Sequence, residues 1–157
     1  VKHGKRAYQN GGAIYTEHST LDIFGSAFWS CVADYSEYGY GGALYLSAST
    51  IDVRESTFDS NSAENGGGIY LLEGSASITS CKFESNTAMD GGGAIRCKQS
   101  TVILIRCSFQ WSYSPFGGAL FPSASTIDVH ESTFDSNSAV KGGGIYLWDD
   151  SASITSC

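Results

Sequence analysis

Apolar and polar positions alternate along most of this 157-residue chain. In STIDV (Ser49 to Val53), STF (Ser56 to Phe58) and GIYL (Gly68 to Leu71) apolar side chains recur at the period of two that marks a strand with one buried face. Gly, Ser and Asn fill the gaps between these runs, and no segment carries the i, i+3, i+4 apolar stripe of an amphipathic helix. The pattern predicts three short strands in about 25 residues, separated by turns.

The runs return at fixed steps. The segments GAIY (Gly12 to Tyr15), GALY (Gly42 to Tyr45), GGIY (Gly67 to Tyr70), GAIR (Gly93 to Arg96), GALF (Gly118 to Phe121) and GGIY (Gly143 to Tyr146) are spaced by 30, 25, 26, 25 and 25 residues. Phe28, Phe58, Phe83, Phe109 and Phe134 are spaced by 30, 25, 26 and 25. Over a longer range, Ser47 to Cys81 and Ser123 to Cys157 match at all but six of 35 positions, at an offset of 76 that equals three of the smaller steps. Repeats of this length, with three strands each, predict an all-β fold: a three-sided parallel β-helix of about six rungs of ~25 residues. No rung buries enough apolar surface to fold alone, so stability has to come from stacking.

Aligned rungs sort the residues into columns. The inward set includes Ile51 and Val53, Val102 and Leu104, and Ile127 and Val129 on one strand, the phenylalanine series, and the column Ile14, Leu44, Ile69, Ile95, Leu120 and Ile145. Three residues after each phenylalanine stand Cys31, Asn61, Asn86, Ser112 and Asn137. Asparagine there predicts a corner ladder of Asn61, Asn86 and Asn137, with αL backbone and amides bonded to the next rung. The glycine pair before each aliphatic predicts a tight turn with φ > 0. With no helix to follow it, the pair is not a phosphate loop.

The combination of GGAI (Gly11 to Ile14, Gly92 to Ile95), GGAL (Gly41 to Leu44), FDSN (Phe58 to Asn61, Phe134 to Asn137) and FESN (Phe83 to Asn86) resembles the repeats of the chlamydial polymorphic membrane proteins and related β-helical surface proteins. The likeness runs from about Gly11 to the end and departs at FWSC (Phe28 to Cys31) and FQWS (Phe109 to Ser112), where the asparagine is missing. The resemblance implies a right-handed helix, in keeping with the usual hand of parallel crossovers. It also implies an extracellular, cell-surface passenger stalk or adhesin, with no catalytic residues and no cofactor. Membrane attachment would come only through parts outside this chain.

Several columns carry candidate chemistry. Tyr15, Tyr45, Tyr70, Arg96, Phe121 and Tyr146 each follow an inward aliphatic by one residue, so they should face outward as a flat stripe. Such a stripe can bind a host-surface protein or glycan, with Arg96 adding cation–π contacts, or can be covered by a turn or neighbouring strand. The first rung has about five extra residues, and a loop with Tyr35, Glu37, Tyr38 and Tyr40 would project as a contact element. Cys81 and Cys107 occupy one position in consecutive rungs, close enough for a disulfide, with stacked free thiols as the alternative. Asp22 with Asp52, and Asp59 with Glu84, could approach the spacing of a retaining glycosidase, which keeps a polysaccharide lyase or glycoside hydrolase as the alternative to a non-enzymatic role.

Composition narrows the partners. Charged residues make up 16% of the chain and the formal net charge is −7, which supplies no basic surface for nucleic acid. The five cysteines include no C-x-x-C, so neither a zinc site nor another metal centre is expected. Residues Val1 to Asn10 lack the repeat and should form a polar cap, leaving 11–157 as the β-helix. Cys157 interrupts a rung in full repeat sequence, which predicts that the chain continues or that another copy docks there; axial or lateral self-association follows as an expectation.

Overall fold

The computed structural model of the chain describes residues 10–34 and 39–157. The expected N-terminal cap, except for Asn10, and Tyr35 and Tyr38 of the expected loop lie outside the described residues. Strands are numbered in chain order, and they form three long parallel sheets. The first holds β1 (Ile14–Glu17), β4 (Leu44–Ser47), β8 (Ile69–Leu72), β12 (Ile95–Lys98) and β15 (Leu120–Ser123). The second holds β2 (Thr20–Phe24), β5 (Thr50–Arg54), β9 (Ser75–Thr79), β13 (Thr101–Ile105), β16 (Thr126–His130) and β18 (Ser151–Thr155). The third holds β3 (Ala27–Trp29), β6 (Thr57–Asp59), β10 (Lys82–Glu84), β14 (Ser108–Gln110) and β17 (Thr133–Asp135). A short fourth ladder pairs β7 (Ser62–Asn65) with β11 (Thr87–Gly91). The three-sided parallel β-helix is therefore as the repeats predict, although among the described residues only the second sheet reaches six strands.

Register follows the repeat without slippage in the three long sheets, whereas the short fourth ladder shifts by one residue between Ala88 and Gly91. Phe58 pairs with Phe83 and Phe83 with Phe109, and Ile51, Ala76, Val102 and Ile127 line up in the second sheet. Equal backbone paths place equal side chains above one another, so the phenylalanines from Phe28 to Phe134 stack with ring centroids 4.8–4.9 Å apart and interplanar angles of 5–11°. The first four are essentially inaccessible to solvent. They join the aliphatic columns in one continuous core, where truncating a buried aromatic costs about 3–5 kcal/mol.

The corners need a different solution, because a turn inside a stack leaves backbone N–H groups away from water. At the corner after the third sheet, Asn61 Oδ1 accepts from Cys31 N at 2.9 Å while Asn61 Nδ2 donates to Phe28 O at 3.1 Å. Asn86 Oδ1 accepts from both the backbone N and the side-chain Nδ2 of Asn61, and Asn86 Nδ2 donates to Phe58 O at 2.9 Å. Asn137 serves Ser112 N and Phe109 O in the same way, but Ser112 interrupts the ladder between Asn86 and Asn137. The asparagines themselves do not take αL geometry. That conformation belongs to the preceding residue: Ser30, Ser60, Ser85, Trp111 and Ser136 have φ of 51–56°. Turning one residue earlier aims the asparagine side chain inward, where its amide reaches the buried backbone.

The two other corners work alike with serine. Ser49, Ser100 and Ser125 Oγ accept from the N–H of Ser19, Gly74 and Ser100 at 3.1–3.3 Å, and Ser56 and Ser132 accept from Ser26 and Cys107. At the glycine turn only the first member of each pair has positive φ, as in Gly41. The second is required by proximity: a Cβ on Gly42 would lie 2.0 Å from Gly67 O in the next rung.

Asn86→Ala should lower the free energy of unfolding by about 3 kcal/mol in a urea titration, since it strands two buried N–H groups and a carbonyl. Glu55→Gly, at an exposed corner with φ of 50°, should be neutral or stabilising by up to about 1 kcal/mol in the same titration.

Candidate functional site

The outward stripe on the first sheet forms as a column, yet most of it is roofed. Tyr15 is half exposed, whereas Tyr45, Tyr70 and Phe121 are buried and Arg96 and Tyr146 are partly buried. Tyr40 folds back from the first-rung insertion to lie 4.7 Å from Tyr70 and 6.4 Å from Tyr45, ring to ring, so it covers the stripe and does not project. Phe116 plays this part higher up, 6.0 Å from Phe121 and 5.6 Å from Tyr146. The open aromatic ribbon is thus corrected to a partly covered one, the alternative in which a turn roofs the stripe: Tyr45, Tyr70, Phe121 and Tyr146 gain ring contacts from Tyr40 and Phe116, while Tyr15 stays half exposed.

Electrostatics vary along the column. Burial pushes the Tyr70 hydroxyl up to about 12, and Tyr15 reaches about 12 because its hydroxyl bonds the Glu17 carboxylate. The Arg96 guanidinium carbon sits 3.8 Å from the Phe121 ring centroid, a close cation–π contact, and Nη1 donates to Phe121 O at 2.8 Å and Cys97 O at 3.1 Å. Burial lowers its pKa. Beside it opens a cleft of about 280 Å³ lined by Asp90, Arg96, Phe116, Phe121, Ser123 and Trp148. Of these, Asp90, Phe116, Ser123 and Trp148 carry no signal in the repeat pattern that marks them as a group.

The acidic columns make local polar contacts. Arg54 Nη2 contacts both Asp22 carboxylate oxygens at 3.0 Å, and its Nε lies 3.4 Å from Asp52. Glu84 pairs with Lys82, Asp59 accepts from Ser60 Oγ, and His130 Nε2 lies 2.9 Å from Asp128 Oδ1. These groups lie on the outer faces of the sheets, in local ion pairs and hydrogen bonds.

Cys81 and Cys107 stack in register as free thiols, the alternative to the disulfide. Each replaces a serine of the Ser56 and Ser132 column, and each Sγ turns to backbone carbonyls: Cys81 to Thr79 O and Val53 O, Cys107 to Ile105 O and Ile78 O. Side chains stacked in register point the same way, whereas a disulfide needs Cβ–Sγ vectors that converge. Burial raises the pKa of Cys81 to about 11, of Cys97 to about 12, and of Cys107 as well.

Residues 42–157 match the family model described as the right-handed β-helix region. The chain belongs to the right-handed β-helix family. The match spans about four turns and supplies the handedness of the coil. No curated protein and no solved structure matches the chain. Members of a fold share architecture more readily than chemistry, so the site of this β-helix has to be read from its own residues.

A thiol reagent at pH 8 should modify Cys157 rapidly in the native 157-residue chain and leave Cys31, Cys81, Cys97 and Cys107 untouched, with five reacting after denaturation. Burial shields all four, and the raised pKa values of Cys81, Cys97 and Cys107 keep those three protonated at that pH. Reaction of more than one native thiol would contradict the burial described.

Proposed function

We propose that this chain is a non-enzymatic, structural and adhesive β-helix of the extracellular surface, of the polymorphic-membrane-protein type. It serves either as a segment of a longer surface protein or as the protomer of a filament. The observation that carries the reading is the distribution of chemistry over the shaft. Carboxylates that recur with the repeat are spent on local pairs with Arg54, Lys82 and His130 on outer faces. The features that break the repeat, Arg96 and the cleft beside it, combine aromatic rings with a few polar groups, which suits recognition. The near-identical blocks Ser47 to Cys81 and Ser123 to Cys157 also repeat the outward Thr50, Asp52, Thr57 and Asp59 as Thr126, Asp128, Thr133 and Asp135, so a partner or second copy that reads those residues meets them at two levels.

The test is twofold. Electron microscopy and sedimentation velocity on the native protein should show shafts that associate axially or laterally, and pectin, alginate and chitin incubated with it should remain intact. Release of unsaturated or reducing sugar ends would replace this reading with a carbohydrate-active enzyme.

A further inference from the structure

Two departures from the repeat meet in one rung. The position after the inward aliphatic is aromatic in five rungs and arginine only at Arg96. In the ladder of the preceding turn, Tyr40, Asn65, Phe116 and Lys141 carry side chains where Gly91 has none. The two are linked in space. A Cβ on Gly91 would lie 2.3 Å from Phe121 Cδ1 and 3.5 Å from Arg96 Cδ, so the missing side chain is what lets the Phe121 ring and the arginine stem settle there.

The internal duplication points to the same place. Of the six differences between Ser47 to Cys81 and Ser123 to Cys157, one replaces Leu72 by Trp148, which lines the cleft. A second replaces Asn65 by Lys141, whose Nζ is 5.7 Å from the Phe116 ring centroid, and a third replaces Gly74 by Asp150, whose charge acts on Arg96. Three of the six differences thus touch the cleft or its arginine, while the inward core positions stay the same.

The arginine feels the charges of Asp90 and Asp150 without a direct ion pair to either. No carboxylate of the described residues lies within 4.0 Å of it, and its hydrogen bonds run from Nη1 alone to neutral carbonyls. A mostly buried guanidinium with unused donors is completed by an anion that presents two oxygens, and a carboxylate has that geometry. Around it, the Asp90 carboxylate can accept from hydroxyls, Ser123 Oγ can donate or accept, and the half-exposed Trp148 offers an apolar ring face. The volume is that of one small ring.

We infer that this cleft binds a single carboxylated sugar residue, with its carboxylate on Arg96, its hydroxyls on Asp90 and Ser123, and its ring against Trp148. This site rests on the adhesive reading, for which it names the ligand class, and it does not depend on self-association.

Saturation-transfer NMR and titration of the full chain with D-glucuronate, D-glucose and acetate separate the contributions. Glucuronate should bind about tenfold or more tightly than either partial ligand, and remain chemically unchanged. Arg96→Tyr, which restores the residue of the repeat, should abolish glucuronate binding with the thermal midpoint unchanged or raised; a purely structural arginine would lower it. Ser123→Ala, which keeps Arg96, should weaken binding severalfold and serves should Arg96→Tyr not fold. Absence of glucuronate binding to the native chain, equal binding of acetate or glucose, or binding unaffected by both substitutions would overturn the site. Adhesion or filaments persisting in that case would leave the adhesive reading standing, whereas cleavage of a glucuronide would refute that reading itself.

Discussion

Everything in this molecule depends on the in-register hydrogen bonding of each turn to the next. Backbone N–H groups donate to carbonyls one repeat away at 2.8–3.4 Å, from the glycine turns through all the corners. Because the three long ladders are parallel and do not slip, a residue in them is held above its own equivalent. Like therefore packs on like, and the side chains that succeed are those that stack well on themselves: flat rings, branched aliphatics and amides that both donate and accept.

This constraint explains why the interior is so tolerant at the corners and so strict beside them. A turn of about 25 residues must bend at several places, and non-glycine residues such as Ala48, Glu55 and Trp111 adopt φ of 45–52° to achieve it. That conformation is costly for an L-residue, at roughly 1–2 kcal/mol. It is offset by the hydrogen bonds that the side chains of Asn61, Asn86, Ser100 and Ser125 accept from N–H groups the bend would otherwise strand. Cys81 and Cys107 fit the same logic as serine analogues with weaker donors, which accounts for their presence without a disulfide.

Regular stacking also separates architecture from recognition. Positions that repeat are committed to holding the coil, and a binding surface has to be written where the repeat fails. Arg96 and Gly91 fail it together, and Trp148, Lys141 and Asp150 mark where one block has drifted from the other. The roof over the aromatic stripe, made by Tyr40 and Phe116, protects apolar rings that would otherwise form an exposed patch.

The periodicity of the chain determined the fold class, the inward columns and the existence of a polar corner, since each is a local alternation copied at a constant step. Ser49, Ser100 and Ser125 were also legible in principle, as the first residues of the recurring Ser-Thr pairs at the start of the second-sheet strands. What spacing cannot convey is which way a segment folds between rungs. That Tyr40 lies back on the stripe, that the αL residue precedes the asparagine, that the stacked thiols point alike, and that Gly91 opens a cleft at Arg96 are outcomes of three-dimensional packing. They depend on side-chain direction and on residues brought together across different turns, and neither is encoded in a one-dimensional period.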